Sequence, residues 1–307
     1  MDQAQQCPAQ GQLNIDHIAH FIPNIETASS ALIEAGFTLT PFSAQSHRLA
    51  PNAPLTPAGS GNRCIMLGSG YLEFLTPIAD TPIAQQLRNA IARYIGVHLI
   101  ALGTSTPERD FARLEAAGFG PLPAVHLQRE IGIDQDDPQR SATARFTVVR
   151  VAADTMAEGR IQFCQQHTPQ HLWQARWLKH ANGATALRAV IIVCADPHAT
   201  AQRFARYTGL ALHRHGRHWR ITSSRGSLLF ISAAAIEDLV PFAPVPCLPW
   251  IAGYVLESPD LTHTARTLTH QPHLSRLHCG SVLLALPAAV GGIIFFQTAD
   301  QDLPFIQ

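Results

Sequence analysis

The feature that most restricts the fold is a recurring order of strand, helix, glycine stop and hairpin. In LNIDHIAHFIPNIE, Ile15, His17 and Ala19 alternate with Asp16, Ile18 and His20, as in a short strand. NIETASSALIEAGF follows, with Ala28, Leu32 and Ile33 at helical spacing and Gly36 as the stop. Thr38 to Ser43 then reads as a strand, a polar loop runs through Gly61, and Cys64–Leu67 and Tyr71–Leu75 read as two further strands. A second copy begins at GVHLIALG and continues through TPERDFARLEAAGFG, ATARFTVVRV and GRIQFCQQ. Its helix ends in AAGF as the first ends in EAGF. A third runs from LRAVIIVCADPHATAQRFARYTGLAL into HWRITSSRG and SLLFISA. The fourth, from GYVLESPDLTHTARTLT through SVLLAL to GGIIFFQTA, is the least regular. Four βαβββ units of about 55–75 residues fill the 307-residue chain. The expected fold is α+β, four modules paired into two open barrels, with one pair over 13–180 and the other over 185–302.

Composition narrows the function. Hydrophobic residues make up 46% and charged residues 14%, which suits a packed core and not a disordered chain. The formal net charge is zero, which argues against a nucleic-acid-coating surface. Lys179 is the only lysine, so the basic set is almost entirely arginine. No apolar run is long enough to span a membrane, and no signal peptide is visible. Six widely spaced cysteines do not form a disulfide framework, and Cys64 and Cys164 sit in apolar strands as core residues. A soluble, reduced, cytoplasmic protein is expected. There is no GxGxxG, GxSxG or CxxC motif.

IDHIAHFIPNIETASSALIEAGF, NRCIMLGSGYLEFLTP and FCQQHTPQHLW followed by HANGA resemble the vicinal oxygen chelate superfamily, and within it the glyoxalase-like domain proteins. The resemblance spans nearly the whole chain. It implies a divalent metal (zinc, iron, manganese, cobalt or nickel) inside a barrel of two modules, with ligands from each module's first and last strands. It also implies a small-molecule substrate or ligand and leaves a homodimer open. Superfamily members include lyases, isomerases, ring-cleaving dioxygenases and metal-free binding proteins, so the fold does not choose the reaction.

The repeat matches positions within the chain. His17 is seven residues before Asn24 and His98 seven before Ser105, each just ahead of a helix. Glu73 lies four residues before Pro77 and Gln165 four before Pro169. His17, Glu73, His98 and Gln165 are therefore the expected metal ligands. Gln162 replaces Gln165 only if the strand alignment slips. Tyr71 shares Glu73's face and lines the pocket or orients the carboxylate. His47, beside the long loop, is a proton carrier at the pocket mouth or a surface residue. His167 touches substrate or caps the next helix. His20 faces away from His17, into the interface between modules.

The corresponding positions of the C-terminal pair are Ala189 and Gly253, so no second metal site of this design is expected. In HRHGRHW, interleaved arginines make His213, His215 and His218 a solvated or anion-binding hairpin in preference to a metal site. The implied chemistry is lyase or isomerase action, the metal stabilising an enolate and Glu73 serving as ligand or base. A glutamine where the glyoxalase reaction expects a second carboxylate argues against a symmetric mechanism. A non-enzymatic binding protein and an Fe(II)-dependent ring-cleaving dioxygenase are the alternatives.

Overall fold

The computed structural model describes residues 6–47, 54–134, 137, 140–277 and 279–302. The first module comprises β1 (Asn14–Phe21), α1 (Ile25–Glu34), β2 (Ser43–His47), β3 (Thr56–Met66) and β4 (Tyr71–Pro77). Asn24 caps α1, its side chain accepting from the backbone N–H groups of Glu26 and Thr27. After α2 (Pro82–Arg93), the second module follows as β5 (Gly96–Gly103), α3 (Pro107–Ala116), β6 (Val125–Gly132), β7 (Ser141–Arg150) and β8 (Arg160–Gln166).

These eight strands close on themselves in the order β1-β4-β3-β2-β6-β7-β8-β5, with β5 returning to β1. The two modules meet at two antiparallel seams. One is β1–β5, and the other joins Ser46 to Gln128 and His47 to Leu127. The expected pair of modules is present, but its barrel is closed where the sequence suggested an open one. The strand expected at Thr38–Ser43 begins only at Ser43, because Pro41 has no N–H to donate to a ladder. The loop expected through Gly61 is strand at both described ends, β2 reaching His47 and β3 beginning at Thr56. A side chain at Gly61 would run into the Phe42 ring, so glycine here marks close packing inside a strand.

A short helix α4 (Pro169–Leu172) and a 3₁₀ turn lead to the second half. There β9 (Ala186–Val193), α5 (Pro197–Thr208), β10 (Leu212–His215), β11 (His218–Thr222) and β12 (Ser227–Ile231) form a third module. Helix α6 (Ala233–Leu239) precedes the last one, built of β13 (Trp250–Glu257), α7 (Leu261–Thr267), β14 (Leu274–Arg276), β15 (Val282–Ala285) and β16 (Ile293–Gln297). This sheet runs β10-β11-β12-β9-β13-β16-β15-β14. It joins the first at Ile251 and Val97. Its hollow is filled by Ile191, Val193, Leu229, Val255 and Phe295, with Ile236 of α6 packed among them.

The outer faces of β1 and β5 pack against the second half. Ile15, Ile18, Ile100 and Leu102 share one core with Phe204, Tyr254 and Phe296. Burying each such side chain contributes about 1.5–3 kcal/mol. Where β13 pairs with β16, Gly253 lies so close to the Ile293 carbonyl that a Cβ has no room. Gly253→Ala is therefore expected to lower unfolding free energy by roughly 1–3 kcal/mol, read as a reduced urea midpoint. An unchanged midpoint would show that β13 yields freely. Among the described residues, no helix is long and apolar enough to cross a membrane.

Candidate functional site

A cavity of about 120 Å³ occupies the closed barrel. Its apolar wall includes Leu75, Leu99, Leu127, Phe146 and Val148, and its polar groups include His17, Glu73, Gln45 and Gln162. Arg129, Arg150 and Arg160 also line it.

His17 is held from behind. Its Nδ1 donates to Asp16 Oδ2 at 2.6 Å, which presents Nε2 to the cavity. Gln166 Nε2 donates to the same oxygen at 2.9 Å, and Asp16 is fully buried. Simple alternation puts adjacent residues on opposite faces, yet these two meet. The reason is a bulge: Ile15 pairs with Leu102 and His17 with Ala101, so Asp16 is an extra residue in β1. Tyr71 stacks on the His17 ring, centroids 4.4 Å apart, and further fixes its plane.

Glu73 Oε2 lies 3.9 Å from His17 Nε2. Its Oε1 accepts from Gln45 Nε2 at 3.1 Å and from Asn62 Nδ2. Asn62 is oriented in turn by Arg129, whose Nη1 donates to Asn62 Oδ1 at 3.0 Å. The carboxylate is thus tethered at one oxygen and open at the other.

The structure brings His17, Glu73 and Tyr71 together. It does not bring His98 or Gln165 to them. His98 is the extra residue of a second bulge, because β1 pairs Ala19 with Leu99 and His20 with Val97. Its ring leaves the barrel interior, stacking on Tyr94 at 3.9 Å and on Phe21 at 5.3 Å. Its Nε2–H donates to the Tyr94 carbonyl at 2.8 Å, and burial lowers its pKa to about 4. The helix cap explains the slip: α3 is preceded by Thr106, not Ser105, so Leu99 is the residue that corresponds to His17. Gln165 faces outward and donates to the Ser105 carbonyl at 3.3 Å. Strand register gives its replacement. His17 pairs with Tyr71 and Leu99 with Arg160, so the residue two beyond each partner is Glu73 in one module and Gln162 in the other.

His167 is exposed and not in the cavity wall; its Nε2 meets Thr147 Oγ1 at 2.8 Å. His167 does not cap α4 either: Thr168 stands at that position and gives no side-chain cap bond. His47 ends β2, and its side chain lies outside the described residues. His20 sits between the two halves, Nδ1–H donating to the Val290 carbonyl at 3.1 Å and Nε2 accepting from Tyr254 Oη at 3.3 Å. His215 stacks on His218 at 5.9 Å across the Gly216 turn while His213 is exposed, so the three histidines do not converge.

Sequence reasoning missed Asp16, Gln45, Asn62, Arg129, Arg150 and Arg160. Asp16 carried a signal, being adjacent to His17, but only the bulge turns adjacency into contact. The others come from strands whose inward faces emerge only when the barrel closes.

The donor set does not fit the divalent ion that the superfamily resemblance implies. Such an ion needs at least three good ligands. The matched positions supply His17 and Glu73, then Leu99 and Gln162. Among the described residues, no group of three His, Cys, Asp or Glu side chains converges. Cys164 also lines the cavity, and burial, with Asp16 and Glu73 nearby, holds its pKa well above the usual thiol range. Three guanidinium groups in the same wall add repulsion toward a cation.

Paired βαβββ modules, closed into a barrel with an inward histidine and carboxylate on the first module's first and last strands, define a vicinal oxygen chelate protein. The sequence profile of the glyoxalase-like domain family matches residues 15–208, and the chain belongs to that family. No curated protein matches the chain significantly. Among solved structures it is similar to a hypothetical protein from Staphylococcus aureus, with 10% identity, TM-score 0.63 and coverage of 93% of this chain and 99% of that one. A mutant of 4-hydroxymandelate synthase from Streptomyces coelicolor is similar at 11% identity and TM-score 0.53, covering 96% of this chain and 94% of the other. A xylose isomerase-like TIM barrel/4-hydroxyphenylpyruvate dioxygenase fusion protein matches at 11% identity and TM-score 0.52, over 96% of this chain and 51% of that one. At these identities the likeness is one of fold.

Proposed function

We propose that the N-terminal barrel is an acid–base site that binds a small oxygenated compound and moves a proton on it, as a lyase or isomerase does. The observation that carries this reading is the Asp16–His17–Glu73 line inside the barrel. His17 Nε2 is the base, because Asp16 occupies Nδ1 and fixes the tautomer. Glu73 Oε2 is the second proton carrier, 3.9 Å away, close enough for one substrate atom to touch both. Gln162 supplies an amide toward a substrate oxygen. The apolar wall excludes water and strengthens these contacts. The C-terminal sheet, its hollow packed, supports the barrel's outer face.

The test is exchange of substrate C–H hydrogens for solvent deuterium, followed by NMR across small 2-oxo and 2-hydroxy acids, before and after exhaustive chelation. Exchange at one position, equal in both preparations, is the expected result. Exchange lost on chelation and restored by one metal would overturn the side-chain mechanism. Tight binding without exchange of any compound would favour a non-enzymatic binding protein, a reading that the apolar wall also suits.

A further inference from the structure

We propose that Arg150 and Arg160 form a seat for a compact oxyanion, a carboxylate or phosphate carried by the substrate, at the seam between the inner cavity and a larger outer one. The inference rests on the reading of the barrel as the substrate site, and it names the substrate class.

Arg150 ends β7 and Arg160 begins β8, on the same edge of the barrel. Both line the inner cavity, and both line an outer cavity of about 600 Å³ that opens beside α2. Among the described residues, neither guanidinium has a carboxylate partner. Arg160 Nη2 donates to Gln86 Oε1 at 3.1 Å, and its guanidinium lies over the Phe21 ring at 5.8 Å. Arg93, at the outer rim, spends its donors on the carbonyls of Ala157 and Pro249. The acidic groups facing this region are Asp154, exposed on the outer cavity, and Glu73, tethered deeper inside.

Two partly buried like charges without counter-ions are unfavourable. Burial, then the charge of Arg150, brings the Arg160 pKa down to about 10, and burial lowers that of Arg150. An anion between them relieves both effects. Guanidinium forks match the paired oxygens of carboxylate and phosphate. An anion seated at the seam leaves the rest of a small molecule in the inner cavity, toward His17 Nε2 and Glu73 Oε2. The outer cavity is then the entrance.

Titration calorimetry of the full chain with inorganic phosphate, and separately with malonate, tests this. The wild type should bind at least one of the two. Arg150→Gln combined with Arg160→Gln should weaken binding by roughly tenfold or more, the loss expected for charge-assisted hydrogen bonds. His17→Gln should retain it. Which anion binds more tightly distinguishes a phosphate-bearing substrate from a carboxylate-bearing one. Absence of binding of both anions to the wild type, or unchanged affinity in the double variant, would overturn the proposal. If that variant fails to fold, phenylglyoxal labelling of the wild type decides. The bound anion should slow modification of Arg150 and Arg160 and leave Arg214 unaffected, and unprotected Arg150 and Arg160 would refute the seat. Anion binding lost with the arginines, but with no proton exchange on any substrate, would keep the seat and remove the acid–base reading.

Discussion

Replacing His17 with glutamine is expected to slow turnover by roughly 10²–10⁴-fold, the range for loss of a positioned general base. The fold should survive, because glutamine keeps a polar end in the cavity. Glu73→Gln is expected to fall in the same range. Asp16→Asn should fall in the same range, acting through tautomer as well as charge. With asparagine's amide turned toward Nδ1, the imidazole proton moves to Nε2 and the base is blocked. A pH–rate profile of kcat/KM separates these roles. The wild-type profile should lose a limb in His17→Gln. Full activity in both His17→Gln and Glu73→Gln would end the acid–base reading.

The second large effect is on stability. Lowering the pH from 6.5 to 4 is expected to destabilise the fold through His20 and His98. Burial lowers the pKa of each to about 4, against an ordinary value near 6.5. In this window the unfolded chain binds protons that the folded chain excludes, so stability falls as the pH falls. The contribution is fully present above the unfolded value and is lost as the pH approaches 4. Each histidine accounts for on the order of 3 kcal/mol. Typical domains are stable by only about 5–15 kcal/mol, so together they carry the protein toward acid unfolding. His20 is enclosed by Phe74, Tyr254 and the Val290 carbonyl, and the neighbouring His98 further opposes its protonation. Half-buried His180 shifts in the same direction through burial and adds to the trend. Urea midpoints measured at steps across this range check the slope. His20→Gln should be less stable at pH 7 and less pH-dependent. A variant with the wild-type slope would show that His20 does not titrate in this window.

The sequence by itself determined the modular order. Strand periodicity, Asn24 and Asp196 as caps, and Gly36, Gly118 and Gly209 as stops are local signals that need no tertiary partner. His17 and Glu73 were legible because each stands at a fixed offset from clear punctuation, Asn24 and Pro77. Tertiary structure decided the rest. Two bulges at the β1–β5 seam turn Asp16 onto His17 and His98 out of the barrel, and a bulge arises from how two distant strands share hydrogen bonds. Taking Ser105 for the cap that Thr106 supplies put His98 where Leu99 stands, and only the paired strands show that His98 is the residue bulged out. Closure did the same for charge. Arg129, Arg150 and Arg160 were three among many arginines along the chain, and only the closed barrel brings them into the lining of one cavity with a histidine and a carboxylate.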